Sequence, residues 1–208
     1  MDLERLVPFL LAATLIELTP GPNMAYLSLV SVRQGRTAGL LTVVGITLGL
    51  ATCLLASVAG LAEFAAAQPW AYHSLRWAGV GYLLWLALDA WRGDPRRPAG
   101  SIAGAWTPVR LVWRGFLLNV LNPKALVFYI SLLPGFTQPE RGHIAVQALT
   151  LGAIHLTIAV TVHGAIVAAA SAASPWLVGR TQSPAVRAAF AAGLIGVAAW
   201  VVLTTRAS

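Results

Sequence analysis

Long stretches of the chain carry almost no charge. Thr37 to Ala62, Gly142 to Gly179 and Ala188 to Thr205 have none, Leu6 to Val32 has only Glu17, and Gly115 to Pro139 has only Lys124. A helix crossing the hydrocarbon core of a bilayer needs about 20 mainly apolar residues, so each window holds one span. A sixth fits Leu75 to Trp91, where Arg76 and Asp89 lie near the ends and Trp77, Tyr82, Trp85 and Trp91 supply the rings common at membrane interfaces. The pattern predicts spans near 6–31, 38–62, 73–91, 114–134, 144–171 and 186–205. One long polar connection, 92–113, separates two sets of three.

Composition agrees with the pattern. Of 208 residues, 58% are apolar and only 10% charged, which a soluble domain does not show. The net charge of +7 does not indicate nucleic acid, because the arginines fall in short connections and read as topology signals. Arg33, Arg36, Arg92, Arg96, Arg97, Arg110, Arg114, Arg180 and Arg187 lie on one side, against Arg5, Arg76, Arg141 and Arg206 on the other. That bias places both termini outside the cytoplasm. Cys53 is the one cysteine, so no internal disulfide forms, and no Cys/His cluster suggests a metal or other cofactor. Asp2 and Glu4 open the chain where a signal peptide would be basic, so none is expected.

Sliding the chain against itself by 103 residues matches Leu18–Leu61 with Leu121–Gly164 without a gap. The pairs Pro20/Pro123, Tyr26/Tyr129, Ser28/Ser131, Gly39/Gly142, Thr47/Thr150 and Gly49/Gly152 are harder to ascribe to chance than the leucine and valine coincidences. Three spans separate the copies, an odd number, so the second copy enters the membrane from the opposite side. The expected fold is thus an all-α integral membrane protein: one membrane domain over 1–208, with inverted three-helix repeats at 1–91 and 114–208. Secondary transporters are commonly built in this way, with the site near the midplane.

The first and fourth spans are expected to break at proline. In the run Glu17-Leu18-Thr19-Pro20-Gly21-Pro22-Asn23, Pro20 and Pro22 remove amides that would bond Ile16 and Leu18, and each disfavours the α conformation in its predecessor. Thr19-Pro20 has the form of an N-cap with proline at the first helical position, and Asn122-Pro123 repeats it. Broken helices cannot show free backbone groups to lipid, so both breaks should face inward, their amide ends suited to a carboxylate. Lys124, the one lysine, lies deep in its span opposite Gly21 in the repeat, and Glu17 is about one turn from that point. Together these groups can hold both ends of a zwitterion. Plainer roles exist: Glu17 and Lys124 as a structural ion pair, Asn23 and Asn119 as interhelical hydrogen bonds, His155 and His163 as buried neutral histidines rather than a proton relay. Gly45, Gly49, Ala56 and Gly60 are spaced for close helix approach rather than binding. Ser28 and Ser131 have no evident base, so no enzyme is expected.

At these residues the chain resembles a known family. TPGPN at 19–23, followed by QGR and AGL within 34–40, is similar to the opening of the lysine exporter and threonine/homoserine exporter superfamily (LysE/RhtB). RGFLLNVLNPKALVFYISLLPGF at 114–136 resembles its second hallmark. The resemblance implies a multi-pass protein of the bacterial inner membrane that exports amino acids or related small metabolites using an ion gradient, with protons the simplest coupling ion. It implies site positions at Pro20, Gly21, Pro22, Asn23, Asn119, Asn122, Pro123 and Lys124. Glu17 lies outside the common motif and, with His155, enters as a charge or proton partner. A homodimer is compatible with this reading. The rival is a transporter of another small solute or a cation, although hard cations favour several oxygen ligands and the spans offer one carboxylate.

Overall fold

The computed structural model describes residues 3–60, 69–92, 107–138, 140, 142–177 and 184–204. All regular structure among them is helical: α1 (Leu3–Leu18), α2 (Pro22–Val58), α3 (Pro69–Arg92), α4 (Pro108–Val120), α5 (Pro123–Val127), a π turn (Phe128–Leu132), a 3-10 turn (Pro134–Phe136), α6 (Ile144–Leu177) and α7 (Pro184–Thr204). Proline opens α2, α3, α4, α5 and α7, where its fixed φ suits a first turn and its missing amide costs nothing. The stretch 93–106, which holds most of the expected connection between halves, lies outside the described residues, as do Arg141, Arg180 and Arg206.

Several boundaries differ from the sequence expectation for local reasons. The break expected between the first two spans is present but narrow: the two arms of α2 meet at Gly35, at φ 84° and ψ 179°, a conformation open essentially to glycine alone, and the chain folds back there so far that a β-carbon on Gly39 would strike Ser31. The helix expected from 114 starts at Pro108, because Thr107 caps it by accepting from the Arg110 amide at 3.3 Å. Arg114 therefore sits inside α4, buried, with its guanidinium 4.8 Å from the Trp85 ring centre. It is a packed residue and not a topology signal.

α2 is the spine of the molecule. Its later arm packs with α1, the α5 and π segment and α6 around Phe9, Ile46, Leu50, Phe128, Tyr129 and Leu151. Its earlier arm joins α3, α4 and α7 around Tyr26, Leu29, Val80, Leu83, Leu118 and Leu194. The seam between α2 and α4 is backbone against backbone. A β-carbon added at Gly45 would strike the Val112 carbonyl, and one at Gly49 would lie 3.0 Å from the Phe116 carbonyl oxygen. Small residues give apolar helices close contact where no hydrophobic driving force separates helix from lipid. Gly60 does not join this seam: at φ 77° it ends α2, its amide bonding Ser57.

The outer surface is apolar as well. Leu40, Val44, Leu48 and Leu55 of α2 are exposed on the face opposite the core, together with Leu11 and Leu15 of α1, Trp77 and Leu84 of α3, and Val146, Leu149 and Val160 of α6. Thr52, Thr150, Thr157 and Thr161 return their hydroxyls to the carbonyl four residues back, at 2.8–2.9 Å, so these faces show few free polar groups. Two described helices, Pro22–Val58 and Ile144–Ala173, are long and apolar enough to cross a membrane by length and composition.

Candidate functional site

Both proline breaks lie at one place in the fold. α1 ends at Leu18, and Thr19 is still bonded back to it: its amide reaches Leu15 at 3.0 Å and Ile16 at 3.3 Å, and its hydroxyl donates to the Leu15 carbonyl at 2.8 Å. Thr19 is therefore the tail of α1, and not the cap expected from the sequence. The chain restarts at Pro22, with Gly21 extended at the cap position and offering no side-chain acceptor. With no side-chain cap, the amides of the first turn of α2 remain open to another acceptor. At the second break the expected cap is present: Asn122 Oδ1 accepts from the Lys124 amide at 3.0 Å. That amide is engaged by its own cap, which leaves the two helix starts chemically unequal.

Lys124 reaches across to the first break. Its Nζ donates to the Thr19 carbonyl at 2.9 Å, capping the C-terminal end of α1 as lysine does at helix ends. The Ile16 carbonyl, expected free, is held by the Thr19 amide. The lysine stem passes beside Gly21, where a β-carbon would stand in ordinary contact, 3.7 Å from Lys124 Cδ.

Glu17 pairs with histidines, and not with Lys124. Its Oε1 lies 3.0 Å from His155 Nε2 and its Oε2 lies 3.4 Å from His163 Nε2, with all three side chains buried. His155 is held on every side. Its Nδ1 meets the Tyr129 hydroxyl at 3.0 Å, and its ring stacks on Phe128 at 3.7 Å and 20°. Phe128 and Tyr129 are consecutive residues, and the π turn that contains them turns both toward one imidazole, as such turns often do at sites. With Glu17 ionised, the geometry gives His155 an Nε2–H that donates to the carboxylate and an Nδ1 lone pair that accepts from Tyr129. His163 Nδ1 is buried without a partner.

A third contact ties the halves. Asn23 Nδ2 donates to Asn119 Oδ1 at 2.9 Å, while the remaining Asn23 oxygen and Asn119 nitrogen are buried and unpaired. Glu17, Gly21, Asn23, Asn119, Asn122, Lys124, His155 and His163 line one cleft with Phe128 and Leu50. Its free space is about 10 Å³, on the scale of one water position, so the cleft is closed and must widen to admit any organic solute. Among the expected site positions, Pro20 is exposed and Pro22 is buried in the first turn of α2, and neither lines the cleft. Pro123 opens α5, but its side chain is outside the description. Asp89 is likewise undescribed beyond its place in α3.

Sequence reasoning gave neither the hold of Tyr129 and Phe128 on His155 nor the pairing of His163 with Glu17. Two histidines within an uncharged window were the available signal, because ionisable groups inside a membrane span are functional by default. Among the described residues no group of three or more His, Cys, Asp or Glu side chains is placed to hold a metal ion.

Comparison with known proteins agrees with this picture. The LysE type translocator family model matches residues 14–205. The homoserine/homoserine lactone efflux protein of Salmonella typhimurium is 28% identical over 190 residues, covering 91% of this chain and 92% of that protein. The leucine efflux protein of Enterobacter sp. is 29% identical over 154 residues, 74% of this chain and 70% of its own. An uncharacterized membrane protein of Vibrio cholerae is 29% identical over 158 residues, 76% and 77% of the two chains. No solved structure matches. With regular structure that is all helical among the described residues, an apolar exterior, a polar cleft and a family match over most of its length, the chain is a membrane protein and belongs to the family of LysE type translocators.

Proposed function

We propose that the protein exports amino acids or related small zwitterionic metabolites across the inner membrane, crossing it in six spans arranged as two inverted repeats and driven by proton antiport. Support for the substrate class comes from relatives named for efflux of homoserine and of leucine. Support for the inverted halves comes from Gly21 and Lys124, which match at the 103-residue offset and line the same cleft, as positions near a two-fold axis do.

The observation that carries the reading is the cleft's division of charge. Lys124 uses one of its three N–H donors on Thr19 and keeps two for an anion, beside the uncapped start of α2 whose dipole favours the same charge. The substrate carboxylate binds there. Its ammonium group goes to Glu17 on the other wall, with Asn23 and Asn119 supplying the unpaired oxygen and nitrogen between. A single carboxylate among neutral donors suits an ammonium ion better than a hard divalent cation, which takes six or more oxygens. Opening requires the α1–α2 break to part from the α5 and π segment, the two halves rocking about the site as in other inverted-repeat carriers.

Reconstituted vesicles loaded with a labelled amino acid test this. Export by the parent should be competed by unlabelled amino acids and not by divalent cations, and Lys124→Met should lower it at least tenfold while the protein remains folded. Normal export by Lys124→Met would remove the lysine from the site.

A further inference from the structure

We propose that His163 is the proton-carrying residue, binding its proton on Nδ1 and competing with the substrate's ammonium group for the one carboxylate of Glu17. This rests on the export reading above.

The two histidines beside Glu17 differ in one respect. Both nitrogens of His155 are engaged, one by Glu17 and one by Tyr129, and its ring is clamped by Phe128. His163 has Nε2 at 3.4 Å from Glu17 Oε2, while Nδ1 is buried with no partner. A neutral imidazole carries one N–H and one lone pair. With the N–H of His163 turned to the carboxylate, its lone pair stands alone on Nδ1, an expensive arrangement for a buried acceptor. His163 lines the cleft, so water entering the cleft reaches the ring. A hydronium ion delivered through that water gives up one O–H bond as the Nδ1–H bond forms, leaving neutral water and an imidazolium facing Glu17, and release to water reverses the step.

The charge around the ring makes that proton conditional. Glu17 faces it from α1 and Lys124 from α5, with His155 on its own helix. Among the described residues, Tyr129 of the π turn and Cys53 of α2 belong to the same cluster. With Glu17 and Lys124 both charged, the cluster sums to zero, and a proton on His163 brings it to +1. An arriving zwitterion adds no net charge but sets its ammonium against Glu17, so the imidazolium loses its counter-ion and the proton leaves. Substrate and proton thus occupy the site alternately, which is the requirement for antiport.

Three measurements test the assignment. In vesicles, the ratio of accumulation under an imposed pH gradient to exchange of labelled for unlabelled amino acid should fall at least tenfold in His163→Gln relative to the parent. In the unsubstituted protein labelled at histidine nitrogens, the Nδ1–H of His163 should be present without amino acid and lost on its addition. In weakly buffered solution, addition of amino acid should release protons from the parent and at least fivefold fewer from His163→Gln. An undiminished ratio in His163→Gln, or an Nδ1 signal indifferent to amino acid, overturns the assignment. A parent that exchanges no amino acid at all overturns the export reading instead.

Discussion

Glu17 sits one residue from the end of α1, where the helix carbonyls disfavour an anion, and two imidazoles and a nearby ammonium group offset that position. The cost of disturbing this arrangement is measurable at Tyr129, whose hydroxyl is the donor to His155 Nδ1. Tyr129→Phe keeps the ring against Phe128 and leaves Nδ1 without a partner, which should destabilise the protein by about 1–3 kcal/mol. Thermal unfolding in detergent would register this as a lowered Tm. Ser57→Ala, which removes a donor to the Tyr129 carbonyl at 2.9 Å, should cost less, about 0.5–1.5 kcal/mol, because the π turn persists. The contrast between Asn122 and Thr19 shows how far local sequence reaches. Asn-Pro specifies a cap by itself, and the structure has it. Thr-Pro-Gly-Pro offers two starting prolines, and the extended Gly21 decides for the second. The pairing of Glu17 with histidines 138 and 146 residues later has no local signature, because it arises only when α6 is laid against α1.

The α2–α4 seam and the Gly35 kink are properties of whole elements, and each answers to one substitution. Gly45→Ala forces a β-carbon into the Val112 carbonyl and should destabilise by about 1–3 kcal/mol. Gly81→Ala on α3 meets open space and should stay within about 1 kcal/mol of the parent, helix propensity favouring alanine; thermal unfolding of the pair separates packing from propensity. Gly35→Ala has room but the wrong φ, so its effect should come from straightening α2 rather than from a clash. Helix identity was legible because uncharged windows of span length have few other readings. The Gly45 and Gly49 seam was legible because their spacing of four puts both on one face. The turn between the first two spans was legible too, because Arg33, Gln34 and Arg36 read as a polar connection, but its narrowing to the single residue Gly35 was not. The buried position of Arg114 was equally hidden, because only the tertiary approach of α3 sets Trp85 beside its guanidinium.

At the scale of the whole molecule, the ring of exposed leucine, valine and tryptophan decides which solvent the fold is made for. A water-soluble protein rarely shows a contiguous apolar patch beyond a few hundred Å², whereas here such side chains cover outer faces of α1, α2, α3 and α6. The two environments give opposite signs for one substitution. Leu48 is half exposed and near the middle of the later arm of α2. In water Leu48→Arg would be neutral or helpful to solubility; at the centre of a span it costs about 2.5–3.5 kcal/mol, a factor of about a hundred in insertion at 1.4 kcal/mol per tenfold. Membrane fractions of cells making Leu48→Arg should therefore lose most of the protein, while Leu48→Ala, which removes bulk without charge, should remain membrane-bound. Recovery of folded Leu48→Arg in the soluble fraction would mean that this face meets water. The closed cleft, the rocking halves and the proton at His163 would then have no membrane across which to act.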